Sequence, residues 1–381
     1  MKEKIERVQQ VLKEHKINSW IVFCHHSYDI HSKYLLEKNI TSATFIMIKQ
    51  ENKPIVITSR MESMMIDNDV YDVIAYKTRS ELIELLKNSL SGLENGKKIA
   101  INYVPKDNLF DNFSMDILPA GTFEFLTSLN NNINWVSAKD IIRDVRSVKT
   151  KKEIENHRIA AKLAEELMEE VVEQKIKPGM TEKEIKALIE YECNKRGGIA
   201  FEAIVASGEN SAIPHHHASK TKIKENQVLL IDYGVSYNWS NSDITRTYWI
   251  GKNPPEEVLR VYEAVDAAKE AAYKHIKAGV FASEVENAVR ETMKEFGYDP
   301  EKYFIHSTGH PLGIETHDVG VGIYKASETV ADKRLIENSV VTVEPGLYFE
   351  GKFGVRLEDD CVVTKDGSIR LSNTPKKIIT I

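Results

Sequence analysis

An α/β domain followed by a larger α+β domain built from two copies of one unit is the fold class this sequence predicts. Three observations predict it. Short apolar runs alternate with helical stretches up to about residue 140, one motif recurs a hundred residues apart, and two matched apolar runs each end on an acid. At 381 residues the chain is long enough for two domains that each bury a core.

Residues 1–16 read as a charged amphipathic helix. Apolar runs at 20–23, 44–48, 54–58, 73–76 and 99–103 predict strands. Glu51, Asn52 and Lys53, between the second and third runs, predict a hairpin turn. Residues 80–93 have helical periodicity, and 127–132, rich in Asn, predict a loop. Residues 135–148 lead into a charged helix at 151–174, which places the domains at 1–140 and 141–381.

Beyond that boundary the chain repeats itself. Ile176, Lys177, Pro178 and Gly179, followed by Glu184 and Ile185, return as Ile276, Lys277, Ala278 and Gly279, followed by Glu284 and Val285. Each copy closes one helix with Gly and opens another. The apolar run 228–231 ends on Asp232, Tyr233 and Gly234, while its counterpart 340–343 ends on Glu344, Pro345 and Gly346. Asp243 and Glu358 follow at comparable offsets, each opening an apolar strand.

An approximate two-fold axis between the halves would gather these four carboxylates at one centre. Four ionised carboxylates there would repel one another severely unless cations neutralised them. His310, in Gly309-His310-Pro311-Leu312-Gly313, adds one imidazole. Two divalent ions match four negative charges, and oxygen-rich ligation with one nitrogen favours Mn(II), with Co(II), Fe(II) or Zn(II) as substitutes.

The formal net charge of −6 leaves no basic footprint for nucleic acid or an anionic membrane. Cys24, Cys193 and Cys361 are odd in number and scattered, which argues against a disulfide framework, fits a cytoplasmic protein and leaves room for one reactive thiol. No apolar run approaches a signal core or a spanning helix.

In motif order and spacing, residues 146–381 resemble the pita-bread metallopeptidases, in their Xaa-Pro branch of prolidases and aminopeptidases P. The first domain is similar to the creatinase and prolidase N-terminal type, which is ribonuclease H-like. The resemblance implies that Asp232 binds one ion, Asp243 and Glu358 bridge both, and His310 and Glu344 complete the second. It also implies that His215, which follows Pro214, and His317 approach the scissile carbonyl, that His306 lines the pocket, and that Arg356 lies near the substrate's prolyl end. Read alone, Arg356 would pair with Glu358 or Asp359, and His216 and His217 would be structural or solvated.

The activity so implied is hydrolysis of the bond before proline in small peptides, by a homodimer. A water held as hydroxide between two ions about 3.5–4 Å apart is the expected nucleophile, with Glu344 as proton shuttle. Two other readings stay open: a metal-dependent hydrolase of a non-peptide amide on the same scaffold, and a non-catalytic pita-bread binding protein.

Overall fold

The computed structural model describes the chain except residues 27, 94–95, 110–112 and 328–329. It divides into two compact units, Met1–Arg146 and Ser147–Ile381.

In the first unit α1 (Lys2–Glu14) leads into β1 (Ser19–Cys24), α2 (Ile30–Leu36), β2 (Thr44–Lys49), β3 (Ile55–Ser59), α3 (Arg60–Ser63) and β4 (Asp72–Tyr76). There follow α4 (Arg79–Leu90), β5 (Lys98–Ile101), α5 (Ala120–Ser128), β6 (Asn134–Ser137) and α6 (Lys139–Ser147). The six strands form one sheet in the order β4-β3-β2-β1-β5-β6. The pairs β1–β2 and β2–β3 are antiparallel and the other three parallel, so the sheet is mixed.

All five predicted strands form, because each run is rich in β-branched or aromatic residues and bounded by turn formers. In the β2–β3 hairpin Asn52 takes φ +68°, a left-handed conformation that asparagine tolerates. The loop expected at 127–132 begins late, since residues 127 and 128 close α5. Thr127 Oγ1 and Ser128 Oγ donate back to the carbonyls of Phe123 and Phe125, so these hydroxyls sit within a last helical turn that buries Leu126.

The second unit opens with α7 (Lys151–Leu167), started by a capping box. Thr150 Oγ1 accepts the Glu153 N–H at 3.2 Å and the Glu153 carboxylate accepts the Thr150 N–H at 2.9 Å. The single helix expected to residue 174 is interrupted by a π-helical stretch, Met168–Val172, before α8 (Glu173–Lys175). Then come α9 (Glu182–Arg196), β7 (Ile204–Ser207), β8 (Gln227–Tyr233), β9 (Ser236–Tyr237), β10 (Ser240–Asn241) and β11 (Ile244–Ile250). The second half contains α10 (Glu256–His275), α11 (Ala282–Glu295), α12 (Pro300–Tyr303), β12 (Val340–Val343), β13 (Gly346–Phe349), β14 (Phe353–Arg356), β15 (Asp359–Val363) and β16 (Ser368–Arg370). A last strand, β17 (Ile379–Thr380), returns to pair with β11.

The duplication is visible in the backbone. Gly179 and Gly279, at φ +97° and +85°, turn the chain between the paired helices of each half, a conformation cheap only for glycine. Their N–H groups donate to matching carbonyls, Ile223 and Leu335, each at 2.9 Å. Asn226 and Asn338 lead into β8 and β12 with the same φ of +63°.

Each half also packs its helix on its sheet in the same way. Ile185 and Ile189 of α9 share a core with Leu229 and Ile231 of β8, while Val285 and Val289 of α11 share one with Val341 and Val343 of β12. The halves join where Glu358 donates its N–H to the Thr245 carbonyl at 3.1 Å and Asp243 donates its N–H to Asp360 Oδ2 at 3.0 Å. The acids at the strand ends are thereby held on a buried frame.

Candidate metal centre

Asp232 lies near the end of β8, and Glu344 directly after β12. Asp243 and Glu358 directly precede β11 and β15. His310 arrives on a segment pinned by the pairing of Pro311 with Val341. Gly309 is needed before it, since a Cβ there would fall 1.9 Å from the Thr342 carbonyl oxygen. These five side chains, together with His215, His306, His317 and Arg356, line one cavity of about 700 Å³. The sequence-predicted residues are therefore all brought together.

Asp243, His310 and Glu358 each place a ligand atom within 4.8 Å of the other two. His310 Nε2 stands 3.4 Å from Asp243 Oδ2 and 3.4 Å from Glu344 Oε1. Its Nδ1 faces the Pro311 carbonyl at 3.2 Å, so that nitrogen carries the ring proton and Nε2 turns a lone pair toward both carboxylates. Burial, assisted by the neighbouring His317, lowers the His310 pKa to about 3 and keeps the ring neutral. Lone pairs facing lone pairs repel unless a carboxyl proton or a cation lies among them.

The carboxylates agree. Asp232 Oδ1 and Asp243 Oδ1 are buried and take no hydrogen bond among the described residues. Burial, then the negative neighbours Glu358 and Asp232, pushes the Asp243 carboxyl well above the usual range. Burial and Glu344 do the same to Glu358, and burial raises Glu344 to about 8. Acids this costly to ionise side by side fit divalent cations, and the set of oxygens with one imidazole nitrogen suits such ions.

Supporting bonds aim these groups. Thr342 Oγ1 accepts the His310 N–H at 3.0 Å and donates to Glu344 Oε1 at 3.3 Å. Thr245 Oγ1 donates to Glu358 Oε2 at 2.6 Å and accepts from Arg356 Nε at 3.1 Å. Arg356 does not pair with the side chain of Glu358 or Asp359: its Nη2 lies 2.6 Å from Asp232 Oδ2. Successive strand residues face opposite ways, and Asp359 turns instead to Arg246 at 2.9 Å and Lys269 at 2.6 Å.

Tyr348 escaped the sequence reading. His306 Nδ1 donates to the Ser307 carbonyl at 2.8 Å, so its Nε2 accepts the Tyr348 O–H at 2.7 Å. The Tyr348 oxygen in turn accepts from Arg356 Nη1 at 3.0 Å. Burial, then the Arg356 charge, holds His306 neutral at about 3. Two glycines make room for this tyrosine: a Cβ on Gly346 would fall 2.6 Å from the Tyr348 hydroxyl and one on Gly354 2.7 Å from its ring.

His317 is exposed and packs edge-on to His310 with ring centres 4.2 Å apart. His215 is exposed on the turn after Pro214, whose carbonyl accepts from Arg356 Nη1 at 3.4 Å. His216 bonds Glu182 at 2.9 Å and His217 is exposed. A reactive thiol is not found: Cys24, Cys193 and Cys361 are all buried, and burial pushes the first two up to about 12 and the third up likewise.

Residues 155–365 match metallopeptidase family M24, and residues 4–148 match the creatinase/prolidase N-terminal domain. An Xaa-Pro dipeptidase of Pyrococcus furiosus is 31% identical over 382 residues, spanning 100% of both chains. A second, of Pyrococcus horikoshii, is 38% identical over 69% of this chain and 73% of its own. In three dimensions the X-Pro aminopeptidase of Thermotoga maritima matches with a TM-score of 0.82 at 32% identity over 99% of each chain. With these matches and this site, the chain belongs to metallopeptidase family M24, as a hydrolase that joins a creatinase/prolidase N-terminal domain to a pita-bread catalytic domain.

Proposed function

We propose that this chain hydrolyses the peptide bond before proline in short peptides, using two divalent ions held by Asp232, Asp243, His310, Glu344 and Glu358. The observation that carries this reading is the His310 lone pair facing Asp243 and Glu344 oxygens at 3.4 Å, beside two unbonded aspartate oxygens. Relatives named Xaa-Pro dipeptidase and X-Pro aminopeptidase support the proline preference. The oxygen-rich donor set supports Mn(II), with Co(II), Fe(II) or Zn(II) able to replace it.

Ions bound there supply an ionised water near neutral pH and polarise the scissile carbonyl. The protein's own groups do the remainder. Glu344 Oε1 faces His310, while Oε2 lies 4.0 Å from His306 Nδ1 and is placed to take the water's proton and pass it to the leaving prolyl nitrogen. His215 and His317 border the cavity and donate to the developing oxyanion. Arg356 and His306 face the prolyl end. The prolyl nitrogen carries no hydrogen, so that end needs no acceptor, and Phe201, Ile204, Pro214 and Tyr324 add apolar wall.

The proposal includes a cytoplasmic homodimer. The resemblance to prolidases supports the dimer, and the three buried thiols fit a reducing compartment. No helix among the described residues is long and apolar enough to cross a membrane.

Reconstitution with Mn(II), followed by comparison of an Xaa-Pro dipeptide, an Xaa-Pro-Yaa tripeptide and a non-proline dipeptide, tests the reading. The expected result is proline-dependent cleavage abolished by chelator, with the tripeptide separating dipeptidase from aminopeptidase P action. Equal cleavage of the non-proline dipeptide would overturn the proline preference. Turnover of a non-peptide amide alone would favour a small-molecule hydrolase, and no metal-dependent turnover would favour a binding protein.

A further inference from the structure

Glu182 opens α9 and is fully buried, yet it does not line the catalytic cavity. Its Oε1 accepts from Ser207 N–H, Ser207 Oγ and Asn210 Nδ2, each at 2.9 Å. Its Oε2 accepts from His216 Nε2 at 2.9 Å, Ser219 N–H at 3.0 Å and Ser219 Oγ at 2.7 Å. All six donors belong to residues 207–219, the segment that carries His215.

That segment has little regular structure of its own beyond a 3-10 turn, Gly208–Ala212. A buried carboxylate is costly unless donors surround it, and here one segment supplies the whole shell. From the other side, Gly354 donates its N–H to Ser211 Oγ at 2.9 Å and Arg356 donates to the Pro214 carbonyl at 3.4 Å. His215 therefore stands between two anchors.

We propose that Glu182 is a positioning residue, which fixes residues 207–219 so that the His215 imidazole meets the scissile carbonyl. The second half has a buried glutamate in a comparable role but one helical turn further on, since the position matching Glu182 is Ala282. Glu286 on α11, also fully buried, accepts the Thr308 N–H at 2.9 Å and Arg290 Nε at 2.6 Å, and Arg290 donates to the His306 carbonyl at 3.3 Å. Glu286 thus holds the His306 segment directly at Thr308 and indirectly through Arg290, from a helix position that Lys186 occupies in the first half. The inference rests on the role proposed above for His215.

A double-mutant cycle on the Mn(II)-loaded full chain, assayed with an Xaa-Pro dipeptide, tests it. Glu182→Gln keeps the side-chain shape but turns an NH2 toward three of the six donors. The expected result is a drop in kcat of roughly tenfold to a hundredfold, with KM within about threefold and metal content unchanged. In a His215→Ala background the same substitution should change kcat by less than about threefold. An equal drop in both backgrounds would overturn the positioning role and leave His215's role standing. A His215→Ala variant with the parent's kcat would overturn both. Should Glu182→Gln not fold, Ser219→Ala with His216→Asn removes two of the side-chain donors and enters the same cycle under the same criteria.

Discussion

Arg356 Nη2 lies 2.6 Å from Asp232 Oδ2, so a guanidinium from the second half neutralises an acid from the first. The same side chain reaches Thr245 through Nε and Tyr348 through Nη1, which fixes it as a planar fork that lysine cannot reproduce. Arg356→Met should destabilise the ion-free protein by about 3–5 kcal/mol, because Asp232 is left buried without a partner. Loading with Mn(II) should recover part of that loss, since a cation then neutralises Asp232. Chemical denaturation with and without metal reads both, and an equal loss in the two states would contradict the assignment.

Thr245→Val should weaken metal binding roughly tenfold to a hundredfold while leaving the fold intact. The hydroxyl both donates to Glu358 Oε2 at 2.6 Å and accepts from Arg356, so valine frees the Glu358 carboxylate to rotate. Isothermal titration with Mn(II) against the parent measures it. Unchanged affinity would remove Thr245 from the site.

Glu344→Gln and Asp243→Asn should separate turnover from binding. The glutamine amide would keep an oxygen toward His310 and lose the proton carrier, so turnover should fall at least about a hundredfold with the fold retained. Asp243→Asn removes the charge that faces His310 Nε2 at 3.4 Å, and bound metal should fall along with rate. Elemental analysis beside initial rates distinguishes them, and parent-like rates in both variants would refute these assignments.

The ion-free protein should lose stability as pH rises from 6.5 to about 8. Glu344 is raised from 4.5 to about 8, and Asp243 and Glu358 are raised as well. Carboxyls with raised folded values stabilise most at low pH, and that contribution disappears as pH climbs through those values. His306 and His310, lowered from 6.5 to about 3, act oppositely, but their contribution changes only below 6.5. Melting temperatures in chelator across this window should therefore fall, whereas Mn(II)-loaded protein should not show the decline. A flat or rising ion-free curve would contradict the packing of these acids.

Much of this architecture was legible because it is written at short range. Alternating apolar runs marked the five first-domain strands, and the recurrence at Gly179 and Gly279 marked the duplication that pairs Asp232 with Glu344. What stayed hidden depends on register between distant segments. Arg356 has acids two and three residues ahead of it, yet its partner lies 124 residues away. Tyr348 meets His306 across 42 residues, and Glu182 meets His216 across 34. The end of α5 was obscured for another reason: Thr127 and Ser128 have loop-like side chains whose hydroxyls are satisfied inside the helix.

Anomalous diffraction at the manganese edge, from crystals soaked in Mn(II), asks most directly whether acids from both halves surround one two-ion centre. Two peaks should lie within coordination distance of Asp243 and Glu358, one of them also beside Asp232 and the other beside His310 and Glu344. Peaks confined to other parts of the molecule, or none in the cavity, would contradict it.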